Sequence, residues 1–370
     1  MLYHSVAGSR SSAAGVAGLY TSFHRIDLPR TIVVGGGVLD KAGGYVSGVA
    51  QRGSYVLVVS GPTVSSKYFE RLRASLEAEG LTVGLKIIRD ATVETAEEVA
   101  REALESRIEV VAGLGGGKSI DVAKYASKRA GSVFVSIPTV ASHNGITSPF
   151  SSLKGFDKPI SRPAKAPEAI IIDVDVIAEA PRRYNIAGFG DLIGKYTAVL
   201  DWRLAHKLRL EYYGEYAASL ALLSAKHVSQ YAEEIALGTR EGYRVLLEAL
   251  VSSGVSMCIA GSTRPASGSE HLFAHALHIV ARNKPLHGEA VGVGTIMMAY
   301  LHGKNWRRIR GLLKTVGAPT NAKELGVEDD EVVEALTIAA RIRPERYTIL
   351  GEKGLTREAA EALARKTGVI

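Results

Sequence analysis

Val110-Val111-Ala112-Gly113-Leu114-Gly115-Gly116-Gly117-Lys118-Ser119-Ile120-Asp121 reads as an apolar run, a glycine loop and the opening of a helix. Glycines let the backbone approach an anion closely, and the N–H groups at the start of the next helix point at it. Lys118 can add charge. Two better-known phosphate loops each fail here at one residue. A Walker A loop needs glycine where Ala112 stands, and a dinucleotide G-x-G-x-x-G needs it at Lys118. A tight structural turn would use the same glycines, and an acid at Asp121 suits a first helical turn without any ligand. The strand–glycine–helix context is what favours a bound phosphate.

Working outward, the same alternation recurs. Strand signals run Thr31 to Val34, Tyr55 to Val59, Val83 to Ile88, Glu109 to Ala112, Val133 to Ile137 and Ala169 to Ile172. Helical spacing fills Lys67 to Ala78, Ala96 to Leu104 and Ile120 to Ala130. Strands that are apolar throughout and separated by helices predict a parallel sheet covered on both faces. After Pro181 the pattern is helical only: Leu192 to Leu204, Tyr216 to Ala236, Val245 to Val255, His271 to Ala281 and Val291 to His302. The expected fold is an N-terminal α/β domain with a doubly wound, mostly parallel, Rossmann-like sheet, plus an all-helical C-terminal domain. The expected boundaries are a Ser/Gly/Ala-rich flexible tail over 1–22, a dinucleotide-binding domain over 23–180 and a helical metal- and substrate-binding domain over 181–370, with the active site in the cleft between domains.

Composition narrows the function classes. The chain has 370 residues, 46% hydrophobic and 22% charged, enough apolar material for two cored domains. Its net charge of +7 is dispersed among acidic residues, which points to an anionic small molecule rather than nucleic acid. A single cysteine, Cys258, fits a reducing cytoplasm, and its apolar neighbours predict a core residue. No run reaches the ~18 consecutive apolar residues of a membrane span.

Two further stretches carry chemistry. The segment Ser136 to Pro149 follows a strand, is rich in hydroxyls, and begins at the carboxyl end of a parallel strand, where ligands bind in such sheets. His271, His275 and His278 share one helical face, and His287 opens the next segment. Ser267 with Glu270 reads as a capping box before that helix. Neutral imidazoles with one carboxylate suit zinc, iron or nickel, and Asp191, after Gly188-Phe189-Gly190, is the candidate carboxylate. His206 and His227 read as surface residues.

In order, Gly115-Gly116-Gly117-Lys118-Ser119 with Asp121, then Ile137-Pro138-Thr139 leading to Ala141-Ser142-His143, Gly145 and Ser148-Pro149, then Gly188 to Asp191, then Gly268-Ser269-Glu270-His271 with His275, then His287-Gly288-Glu289, resemble the iron-alcohol-dehydrogenase and dehydroquinate-synthase superfamily. The resemblance spans Thr31 to His302. It implies that Gly116, Gly117, Lys118, Ser119, Ile120 and Asp121 hold the pyrophosphate of NAD or NADP, and that Thr139, Val140, Ala141, Ser142 and Ser148 line the nicotinamide. It implies one zinc, or iron, on Asp191, His271 and His287, and substrate contacts from Asn144, Asp191 and His275, which leaves His278 structural. The superfamily pattern commonly has aspartate where this chain has Asn144; an amide still hydrogen-bonds a hydroxyl but cannot act as a base.

The implied activity is metal-assisted reduction of a small phosphorylated ketone, dihydroxyacetone phosphate, to sn-glycerol 1-phosphate by a homo-oligomer. Candidate cations for the substrate phosphate are Lys195, Lys284 and Arg162. No acid follows the second strand (Ser60-Gly61-Pro62-Thr63), so both NADH and NADPH are expected. A glycerol dehydrogenase, a dehydroquinate-synthase-like cyclase and a P-loop nucleotide-binding module are the competing readings.

Overall fold

The computed structural model describes residues 24–155 and 161–370; the expected N-terminal tail lies outside the described residues. Among the described residues eight strands occur: β1 (Thr31–Gly35), β2 (Tyr55–Ser60), β3 (Thr82–Ile87), β4 (Val110–Gly115), β5 (Val133–Pro138), the short pair β6 (Phe150–Ser151) and β7 (Arg162–Pro163), and β8 (Ala169–Asp173). The main sheet is wholly parallel, in the order β1-β8-β5-β4-β2-β3. β2 feeds outward to β3, whereas β4 feeds the other way to β5. The order therefore reverses between β2 and β4, and that switch point is where open α/β sheets bind ligands. The glycine loop leaves the carboxyl end of β4.

Helices α1 (Ala42–Val46), α2 (Pro62–Ala78), α3 (Val93–Glu105), α4 (Gly117–Ala130) and α5 (Val174–Ala178) belong to this half. Two separate cores form on the two faces. Leu72 and Leu76 of α2 pack on Val56 and Val58, while Val99 of α3 and Ala123 of α4 pack on Leu57 and Val111. Every residue of β4 and β8 is buried, which explains why neither strand alternates.

From Arg182 onward every described element is helical: α6 (Arg182–Ile193), α7 (Lys195–Arg209), α8 (Glu215–Gln230), α9 (Ala232–Leu237), α10 (Arg240–Ala260), α11 (Ser269–Val280), α12 (His287–Leu301), α13 (Trp306–Val316), α14 (Ala322–Leu325), α15 (Asp329–Ile342) and α16 (Arg357–Thr367). Their core is continuous with the sheet, because Ile170 and Ile172 of β8 and Ala141 of the loop after β5 belong to it. Two helices expected from periodicity are broken. The Leu192 to Leu204 segment divides at Gly194, where a Cβ would lie 2.8 Å from Val291 Cγ1 and force α12 away. Tyr216 to Ala236 divides at Tyr231.

α10 is long and apolar enough to cross a membrane by length and composition, although its sequence is interrupted by polar residues; 72% of its most apolar window is buried within the fold. It is the central core helix of the second half, with Leu246, Leu247 and Leu250 fully buried. Cys258 near its end is buried, and burial pushes its thiol up to about 11, as expected for an inert core residue.

Candidate active site

The glycine loop achieves its shape without side chains. Gly115 has φ +147°, a conformation that glycine adopts at little cost and residues with a side chain rarely adopt, and a Cβ there would lie 2.7 Å from Ser119 Oγ. Gly116 caps α4 and no side chain accepts from the first-turn N–H groups. They are the unsatisfied donors that an anion can take. The Lys118 ammonium is engaged outside the loop. It is exposed and donates to Asp90 Oδ1 and Arg89 O, both at 3.2 Å. Ile120 is fully buried, with its N–H on Gly116 O. Asp121 lies beyond the first turn, not within it as expected, and faces inward. Its carboxylate accepts from Ser152 N–H at 3.2 Å and sits 3.4 Å from the buried Lys124 Nζ.

Lys124 in turn braces the hydroxyl-rich loop, donating to Gly145 O at 2.6 Å and Phe150 O at 2.8 Å. Asn185 of α6 accepts from Ala141 N–H at 2.9 Å, fixing the loop's other end. Thr139 and Ser148 are buried in this loop, whereas Val140, Ser142 and Asn144 are only partly covered. The same loop brings in a residue that sequence reading assigned no role. His143 packs its ring against Gly117, where any Cβ would collide with Nε2. Its Nδ1 accepts from Gly145 N–H at 2.9 Å, so a neutral ring carries its proton on Nε2, beside the opening of α4. Burial lowers its pKa, opposed by Asp121, and keeps it neutral. The signal available in the sequence was the glycine on either side of the ring, Gly117 and Gly145.

The second half of the site is built by close backbone contact. A Cβ on Gly190 would collide with Gly288 O, and one on Gly288 with Ala187 O. Only glycines let α6 and α12 touch, and that contact sets Asp191 beside His287. Arg183 of α6 reinforces it by gripping Glu289 of α12 at 2.6 and 2.8 Å. Glu289 also accepts from Leu286 N–H at 2.9 Å and so fixes the start of α12. α11 begins at Ser269 behind a Gly268 cap. The expected Ser267 capping box does not form, because Glu270 folds back onto Gly268 N–H instead, at 2.6 Å.

Asp191, His271 and His287 each offer one ligand atom, and these atoms lie within 4.8 Å of one another. His271 Nε2 is 3.3 Å and His287 Nε2 3.9 Å from Asp191 Oδ1. Glu270 Oε1 holds His271 Nδ1 at 2.7 Å, and Thr197 donates to its Oε2 at 2.6 Å, an outer layer that orients the imidazole. Burial alone would raise the Asp191 carboxyl, but Lys195 and His271 outweigh it and hold it well below the usual carboxylate range. Burial drives His287 well below the usual imidazole value, so it is neutral and able to bind a cation. Two imidazoles and one carboxylate form a donor set for zinc or iron.

His275 lies one turn along α11, its ring centroid 5.7 Å from that of His287. Burial, with the charges of His271, His278, Arg343 and Arg346, takes its pKa down to about 3. His278 donates from Nε2 to Pro285 O at 2.8 Å, a structural role. Lys195, expected as a phosphate ligand, is fully buried on Asp191 Oδ2 at 3.0 Å and Ala266 O at 3.1 Å, so its charge is already used. Lys284 is exposed and bonded to Ala281 O. The two halves of the site meet where Asn144 N–H donates to Asp191 Oδ2 at 3.4 Å, while Asn144 Nδ2 donates to Ser253 Oγ at 3.1 Å.

Residues 33–181 match the iron-containing alcohol dehydrogenase family. Over 352 residues, 95% of this chain and all of the relative, the sequence is 99% identical to an NAD(P)+ glycerol-1-phosphate dehydrogenase of Aeropyrum pernix. The chain belongs to the glycerol-1-phosphate dehydrogenase family. It is an oxidoreductase. A second member, from Hyperthermus butylicus, is 58% identical over 347 residues, covering 94% of this chain and 99% of that one. A solved glycerol dehydrogenase from Schizosaccharomyces pombe shares the fold at a TM-score of 0.78 and 20% identity, covering 94% of this chain and 91% of that one.

Proposed function

We propose that the enzyme reduces dihydroxyacetone phosphate to sn-glycerol 1-phosphate with NADH or NADPH, and so supplies the glycerophosphate backbone of archaeal membrane lipids. The observation that carries this reading is the meeting of the hydroxyl-rich loop with the Asp191, His271 and His287 cluster at Asn144. That meeting supports a nicotinamide held on the loop beside a cation held by the cluster. The names of the close relatives, which specify glycerol 1-phosphate and NAD(P)+, support it.

In this reading Gly116, Gly117, Ser119 and the first-turn amides of α4 hold the pyrophosphate, and His143 Nε2–H faces the same anion. Thr139, Val140, Ala141, Ser142 and Ser148 line the nicotinamide, and Asp191, His271 and His287 hold one zinc or iron ion. When bound there, such an ion supplies a Lewis acid for a ketone oxygen. Asn144 keeps its amide oxygen for a substrate hydroxyl, since Nδ2 is spent on Ser253. Neutral His275 offers a hydrogen bond without repelling the neighbouring cation. Arg343 and Arg346, whose charges bear on His275, stand in for Lys195 as phosphate partners in this reading, although Arg343 also pairs with Glu345 at 2.9 Å and the buried Arg346 also donates to Ser267 O and Thr263 Oγ1. They escaped sequence reading because they follow α15, about seventy residues after the histidines they approach.

The test is NAD(P)H oxidation with dihydroxyacetone phosphate before and after chelation, with the chirality of the product determined. Full activity in metal-free enzyme would defeat the mechanism. Equal turnover of glycerol would favour a glycerol dehydrogenase, and absence of net NAD(P)H turnover a cyclase of the wider superfamily.

A further inference from the structure

α7, α8, α12 and α13 enclose a cavity of about 300 Å³ that the reaction above does not use. Leu200, Leu222, Ile309 and Leu312 contribute apolar walls, and Arg203, Lys226, Lys304 and Arg308 stand around it; none of its lining residues is acidic. Arg203 leans on the Tyr213 ring, 5.7 Å from its centroid. The side chains of Lys226, Lys304 and Arg308 are exposed, with no hydrogen-bonding or ionic partner among the described residues. The floor is preformed: Thr197 is buried there and locked by its bond to Glu270. A rigid cavity spares a ligand much of the ordering cost of binding.

The two features select one ligand chemistry. An inorganic anion would need the cations but not the apolar walls. A hydrocarbon would need the walls but gain nothing from the cations. We propose that this cavity is a second ligand site that takes a single alkyl chain ending in a phosphate, free in solution. At ~30 Å³ for each water-sized group, about ten methylenes fill it. Lys226, Lys304 and Arg308 then meet the head group at the rim, as point charges suited to phosphate. The inference is independent of the reaction assigned to the catalytic cleft.

Calorimetric titration of the metal-loaded full chain with decyl phosphate, below its micelle concentration, tests it against decanol and inorganic phosphate. The expected result is one site, at least about tenfold tighter for decyl phosphate than for either, ~1.4 kcal/mol for each tenfold. The paired substitution Lys226→Ala with Arg308→Ala should weaken binding by about tenfold, without loss of NAD(P)H oxidation. Leu312→Trp should fill the cavity and abolish binding; if it fails to fold, as a melting curve would show, the charge variant still decides. Equal affinity for decanol, an unaffected charge variant, or binding only to phosphatidic acid vesicles and not to the free amphiphile would each overturn the proposal. So would self-association of the enzyme that covers the cavity and excludes decyl phosphate.

Discussion

The glycine loop and the carboxylate–histidine cluster are linked through His143 and Asn144 but are built by opposite means. The loop exposes backbone donors, and its glycines are there to keep side chains out. The cluster gathers buried side chains from α6, α11 and α12, and its glycines, Gly190 and Gly288, let helices touch. An anion cradle made of backbone tolerates side-chain change nearby. A buried charged cluster does not, since each member is desolvated and depends on its partners. Asp191 shows this: its charge is sustained at complete burial by Lys195 and His271.

The comparison breaks most visibly at the proposed metal ligands. His287→Ala should remove bound metal and lower kcat/KM by about a thousandfold, since Lewis-acid assistance contributes several kcal/mol to the transition state. Metal content by mass spectrometry, measured beside NADH oxidation, checks this. A metal-free variant with retained activity would show that the cluster is structural only.

A smaller effect, on the same cluster, comes from its glycines. Gly190→Ala places a methyl against Gly288 O and must spread α6 from α12, at a cost of roughly 1–3 kcal/mol in stability as for other overpacked sites. Metal retention should fall with it. Gly311→Ala is the control, because a Cβ there meets nothing within 4 Å, and in α13 it should gain about 0.5–1 kcal/mol. Thermal melts of both separate close approach from helix propensity. Gly117→Ala then sharpens the contrast in the other direction. The methyl displaces His143, so the KM for NAD(P)H should rise about tenfold, ~1.4 kcal/mol, while metal content stays at the wild-type level.

Legibility follows the same division. The four inner strands, β2, β4, β5 and β8, are visible in the sequence because burial on both faces leaves unbroken apolar runs. The edge strands β1 and β3 bury no residue fully and are visible only as short runs of strand-forming residues, yet each predicted run overlaps its strand. The helix boundary at Gly194 was not visible in the periodicity, and the close approach that keeps this position free of a side chain is to Val291, almost a hundred residues away. Of the site, the glycine loop announces itself locally, since its residues are adjacent. His271, His287 and Asp191 are recognisable as residue types, but their approach depends on the Gly190–Gly288 contact, which no local pattern encodes. His143 was overlooked because a single histidine carries no periodicity. Asp121 and Lys195 share one difficulty: a charged side chain near a ligand loop looks available until its buried partner is known.

Lys118 supplies the smallest and most discriminating test. Sequence reading gives it a cationic role beside the pyrophosphate, yet its ammonium pairs with Asp90 at the surface, and both side chains are more than half exposed. Exposed pairs are worth about 0–1 kcal/mol. If backbone amides hold the phosphate, Lys118→Ala should change the KM for NADH by no more than about twofold, because helix N-terminal donors are untouched. Raised salt should then affect wild type and variant alike. A tenfold rise in KM that salt abolishes in the wild type would mean that the side chain swings from Asp90 to the cofactor. The loop would then work as the cluster does, through a charged side chain, and the contrast between the two regions would fail at that residue.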